Sequence, residues 1–120
     1  MIPQEDWIDY LVKYPDIFST NYCGYWARGV EQNDTGWLVW EDDEKTDHGK
    51  EPNREAAIQA WERGAGLPFG WYRLDEAAAI KAFEEGCKRW GVNWFEGEHN
   101  DAIGYDVVIQ LALLGEIRYG

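Results

Sequence analysis

Carboxylates are the most abundant reactive groups in this chain, and two clusters of them include an imidazole. His48 lies near Asp42, Asp43 and Asp47, and His99 near Glu96, Glu98 and Asp101. Carboxylate oxygens with one imidazole suit Mg2+, Mn2+ or a non-haem metal. Neither cluster has the periodicity of a calcium loop or two His at helical spacing. With 23 Asp and Glu in 120 residues, an acid near each of two His is expected by chance. Glu98, His99 and Asp101 form the better set, because a helix start would hold them more firmly, but the reading is that no metal and no cofactor is bound.

Two hydrolytic patterns can be weighed the same way. Asp16 after Pro15, with Asp43-Glu44-Lys45 further on, imitates the spaced acids and Lys of metal-dependent nucleases. There the carboxylates hold the metal and the Lys steadies the phosphate. Here the spacing is loose, Asp16 falls at a helix end, and the basic face that DNA cleavage needs is missing. Paired carboxylates beside Trp would suit glycoside hydrolysis, yet acids this frequent form pairs without purpose. No Gly-rich phosphate loop follows a strand. Cys23 and Cys87 lack a CxxC or a nearby base and read as buried free thiols. The expectation is a protein that is not an enzyme.

The formal charge of −12 carries more information. Neutralising phosphates takes Lys and Arg, so nucleic acid and anionic membrane are disfavoured as direct partners. A basic protein surface remains, set against the plain alternative that acidity only maintains solubility. Eight Trp and seven Tyr are more large rings than a small core easily encloses, and aromatics are enriched at interfaces. Trp26, Arg28, Trp37 and Trp40 fall on or near a hairpin, followed by the acids Glu41, Asp42, Asp43, Glu44 and Asp47. Aromatic anchors and an Arg rimmed by charge compose a partner-binding surface; equally, the Trp are core and Arg28 pairs with a local acid. A second reading is a small-ligand pocket, for a nucleotide, lined by Trp71, Tyr72 and Arg73 with Asp106 and Gln110. For the last two, the alternatives are a thin solvent stripe or a buried pair fastening a helix.

The elements that must position these residues follow from periodicity. Glu5–Tyr14 reads as an amphipathic helix with Trp7, Ile8, Leu11 and Val12 on one face. The runs 22–30 and 37–41 flank Asn-Asp-Thr-Gly as a hairpin. Both faces of the second run are apolar, so one meets helices and the other meets more chain or a partner. A polar loop then leads to a helix over Arg54–Arg63, capped by Asn53 and stopped at Gly64. Trp71–Leu74 is a candidate third strand. Asp75 caps a helix to Trp90, in which Gly86 marks a close helix crossing. The 101–115 stretch is apolar nearly all round and reads as a central core helix; the tail after it could extend along the hairpin.

The 71–120 span contains Arg-Leu-Asp-Glu-Ala-Ala, Trp-Gly-Val-Asn-Trp, Gly-Tyr-Asp-Val-Val-Ile-Gln and Leu-Leu-Gly-Glu-Ile-Arg-Tyr-Gly. In these pieces it resembles small acidic proteins of tailed phages and prophages. The resemblance implies no catalytic residues. It implies a setting in which such proteins bind and block a host protein, including defence nucleases, sometimes by imitating DNA. The expected fold is a single α+β domain over 1–120: a β-hairpin, with a candidate third antiparallel strand, packed by about four helices around a buried C-terminal helix. The acidic N-terminus without an apolar run argues against a signal peptide, so the host cytoplasm is the expected location. The expected function is non-catalytic occlusion of a basic site on a host protein. A small metal-dependent hydrolase is a further alternative.

Overall fold

The bulky run Gly36–Glu41 forms a central strand, β2, because its side chains alternate between two apolar surfaces. The computed structural model describes residues 4–13, 18, 22–42, 51–98 and 101–120. Strand β1 (Ala27–Asn33) pairs antiparallel with β2, and β2 pairs antiparallel with β3 (Trp71–Asp75). The order is β1-β2-β3. Helices α1 (Gln4–Lys13), α2 (Arg54–Glu62), α3 (Glu76–Trp90) and α4 (Ala102–Leu114) complete an α+β fold.

Both sheet faces are covered. Leu38 and Trp40 join Val30 and Trp71 against Ala57, Ile58 and Trp61 of α2. Trp37, Val39 and Leu74 face the larger core built with α1, α3 and α4. The second apolar face of β2 therefore meets more of the same chain. Trp7 on α1 is the hub of the larger core. Its ring meets Phe83, Trp94 and Tyr105 edge-on, with centroids 5.4, 5.3 and 5.5 Å away, the arrangement aromatic quadrupoles favour.

Capping departs from expectation at one place. Asp75 accepts from the Ala78 N–H at 2.9 Å and Asp101 from the Gly104 N–H at 2.8 Å, each starting a helix. Asn53 instead sits at φ 61°, and its side chain caps nothing. It serves α2 by tolerating the left-handed backbone. Helix α4 is enclosed along one side and not all round: Tyr105, Val108, Ile109 and Gln110 are buried while Ile103 is 75% exposed. No helix of the described residues is long and apolar enough to cross a membrane.

Gly86 marks a close approach to the indole of Trp94, the first residue of the short 3-10 helix Trp94–Glu96. A Cβ there would lie 2.2 Å from Cε2 of Trp94, whose Nε1 donates to the Phe83 carbonyl at 3.1 Å. Ala at an ordinary helical site gains about 1 kcal/mol over Gly. Displacing a buried, hydrogen-bonded Trp loses about 1–3 kcal/mol by overpacking, and at 2.2 Å the second effect wins. Gly86→Ala is expected to lower the urea midpoint; a raised midpoint would show that Trp94 moves freely.

Candidate functional site

Asp106 and Gln110 lie one helical turn apart on α4, and every polar atom of both side chains is engaged. Asp106 accepts from the Tyr25 hydroxyl, from Nε1 of Trp26 at 2.6 Å and from Nε2 of Gln110 at 3.0 Å. Gln110, fully buried, also donates to the Tyr119 carbonyl at 3.0 Å. Its Oε1 accepts from the backbone N–H of Arg118 at 2.8 Å and of Tyr119 at 2.9 Å. An amide that donates and accepts in this way binds a backbone as a strand would. The C-terminal tail is thus fixed across α4, and the Tyr119 ring stacks on Trp26 with an interplanar angle of 7°.

The tail also reaches the hairpin. Glu41 accepts from the Tyr119 hydroxyl at 2.6 Å, from Arg118 at 2.6 Å and from the Tyr72 hydroxyl at 3.0 Å. Burial alone would raise the Glu41 pKa, but the bonds from Tyr119, Arg118 and Tyr72 outweigh it and hold the carboxyl below its ordinary value. Tyr25 is pushed upward, first by burial and then by its bond to Asp106. The Cys23 thiol is raised by burial and then by the nearby Asp106 charge. It remains protonated, and so lacks the thiolate that nucleophilic chemistry needs.

A second ionic centre lies between the hairpin and α2. Arg28 donates to Asp42, and to Glu51 at 2.8 Å, and Glu51 also accepts from Arg54 at 2.7 Å. The Glu51 side chain is fully buried. Its burial opposes ionisation, yet the bonds from Arg28 and Arg54 prevail and set its pKa at about 2.

These contacts relocate the residues singled out in the sequence. Trp26 is 0% exposed and cannot offer surface to a partner. Trp37 packs on Phe18 at 4.9 Å and Trp40 on Trp71 at 5.1 Å. Arg28, Glu41 and Asp42 are used internally, while Asp43, Glu44 and Asp47 lie outside the described residues. The ligand-pocket set does not converge. Trp71 and Arg73 face the α2 side, with Trp71 donating to the Pro52 carbonyl at 2.8 Å and Arg73 to the Ala60 carbonyl at 3.0 Å. Tyr72 faces the opposite core, and Asp106 and Gln110 have no free polar atom for a ligand. Among the weak metal candidates, Asp101 is occupied as a cap, Glu98 is exposed and His99 lies outside the described residues. No group of three or more potential metal ligands occurs among the described residues.

Four exposed acids, Glu5, Asp9, Asp34 and Glu76, line one groove, while others such as Glu31, Glu55, Glu62, Glu84 and Glu116 are spread over the rest of the surface. A groove of about 660 Å3 runs between α1, the hairpin tip and the β3–α3 junction. It is lined by Glu5, Ile8, Asp9, Val12 and Lys13, by Asp34 and Thr35, and by Asp75, Glu76 and Ala77. Five carboxylates therefore face one ammonium, and Lys13 is already paired with Asp9 at 2.9 Å. Local chemistry builds each wall. Asn33 Oδ1 accepts from the Thr35 N–H at 2.8 Å and shapes the tip. Gly36 pairs with Asp75, and a Cβ on it would lie 2.1 Å from the Leu74 carbonyl oxygen, so only Gly permits this approach. Gln32 Nε2 donates to the Lys13 carbonyl at 2.8 Å and ties the helix end to the hairpin. The sequence marks each wall, as a helix face, a turn and a cap. It does not mark their meeting, which depends on the pairing of Gly36 with Asp75.

Searches of family models, curated proteins and solved structures find no match to this chain.

Glu51 makes the ionic centre testable. Its folded pKa of about 2 lies below the ordinary 4.5, so its contribution is complete above 4.5 and is lost as pH falls from 4.5 toward 2. Urea midpoints across that window should fall more steeply for the native protein than for Glu51→Gln. Parallel curves would contradict the assignment.

Proposed function

We propose that this protein is a non-catalytic binder that occludes a basic site on another protein. The observation that supports this most directly is the division of its carboxylates. Glu41, Asp42 and Glu51 are paired with Arg or Tyr inside the fold. Glu5, Asp9, Asp34 and Glu76 are exposed around one groove. Like charges held on a fixed surface attract a basic target over a Debye length and speed encounter. A net charge of −12 turns nucleic acid and anionic membrane away by the same field.

The contact surface in this reading is the groove and its rim, in place of the hairpin aromatics. If the 71–120 span shares the setting of the phage proteins it resembles in sequence, the blocked site is a basic, nucleic-acid-binding surface of a host protein. Occlusion needs no reacting group, and the buried Cys23 and the saturated Asp106–Gln110 pair fit such a scaffold role. Capture of a small ligand by Asp106 and Gln110 would require breaking the bonds that hold the tail.

Affinity capture from a cell lysate at low salt tests the proposal. The captured partner should elute as salt rises to about 0.5 M, where the Debye length shrinks to a few ångströms. The triple variant Glu5→Lys, Asp34→Lys, Glu76→Lys should keep its circular dichroism spectrum and lose the partner. A partner retained at high salt and by the triple variant would overturn the reading.

A further inference from the structure

We propose that the groove between α1, the hairpin tip and the β3–α3 junction accepts a cationic amphipathic peptide segment of a protein partner. This inference rests on the acidic-binder reading and specifies its ligand. Charge alone would ask only for a basic surface, but the groove floor asks for more. Ile8 and Val12 stand one helical turn apart on α1, half-buried against the core and open toward the groove. Glu5 and Asp9 rise beside them on the same helix, while Asp34 and Glu76 stand on other elements. An aliphatic strip between carboxylate rims matches a segment with apolar side chains flanked by Lys or Arg. The apolar groups gain by leaving water, and the long basic side chains lie along the walls with their charged ends at the rims.

Three features favour a peptide over other ligands. The volume, about 660 Å3, falls in the range of sites for small molecules and short segments, roughly 300–1,000 Å3. The acids come from separate elements, and Asp75 is committed to the Ala78 N–H, so they do not form a compact metal-ligand set. The walls are already fixed, by Gln32 on the Lys13 carbonyl and by the close approach of Gly36 to Leu74. A pre-formed groove loses little ordering entropy on binding.

The test uses the full chain and fluorescence anisotropy at low salt. One labelled probe is the peptide Lys-Arg-Leu-Ile-Arg-Lys; the other replaces Leu-Ile with Ser-Gly at equal charge. Burial of the two aliphatic side chains should make the first bind at least about tenfold tighter. Asp34→Lys with Glu76→Lys should weaken the first peptide at least about tenfold. Val12→Thr, nearly equal in shape, should narrow the gap between the two peptides, with the urea midpoint checking that the fold persists. Equal affinity for both peptides would overturn the amphipathic assignment and leave the charge-driven reading standing. Binding unchanged by Asp34→Lys with Glu76→Lys would place the peptide outside the groove and overturn the inference. No binding of either peptide at low salt would defeat the inference and the broader reading together.

Discussion

The bonds made by Asp106 and Gln110 are the constraint on which the remaining architecture depends. They are the only carboxylate and amide side chains in the helix Ala102–Leu114. Through them one helix holds the turn before the hairpin, by Tyr25 and Trp26, and the C-terminal tail, by the backbone of Arg118 and Tyr119. The tail in turn reaches Glu41 at the end of the central strand. Removing the Gln110 amide would release the Arg118 and Tyr119 backbone groups it holds, at about 0.5–1.5 kcal/mol per bond. A polar pair on an apolar helix therefore fixes how three segments distant in sequence meet.

This arrangement also decides which acids are available. A chain with 23 carboxylates must avoid repelling itself, and it does so by drawing several inward onto cations and hydroxyls. Glu41 takes three donors, and Glu51 bridges two arginines. Breaking such a buried pair is costly because the surviving charge has no water. These acids are unsuited to an interface whose partner comes and goes. Glu5, Asp34 and Glu76 are exposed to solvent, and association asks for no internal bond to be broken.

Much of the fold was legible in the sequence. Helical periodicity marked α1, α2 and α3 through Trp7 and Leu11, Ala57 and Trp61, and Phe83 with Cys87. The Asn-Asp-Thr-Gly turn marked the hairpin, and Asp75 announced the start of α3. The extent of α4's enclosure was not legible, because apolarity all round does not say how many sides find neighbours. The residues of the candidate site were harder to see. Trp26, Trp37 and Trp40 have the composition of a hot spot, and the packing of Tyr119, Phe18 and Trp71 against them leaves Trp26 buried and Trp37 and Trp40 half-buried. Glu41 and Asp42 look like part of a charged rim until Arg118 and Arg28 are placed against them. The groove joins residues 5–13, 34–35 and 75–77 through strand register, a long-range property that local spacing does not encode.

The central claim is that Glu41, Asp42 and Glu51 fasten the fold while the exposed acids of the groove, Glu5, Asp9, Asp34 and Glu76, are the proposed contact for a basic partner. Backbone amide chemical shifts of the full chain, titrated with oligolysine at low salt, test it most directly. The account predicts that perturbations concentrate at Glu5–Lys13, Asp34–Gly36 and Asp75–Ala77 and vanish at high salt. Perturbations centred on Arg28, Glu41, Asp42 and Glu51, with the groove unaffected, would contradict it.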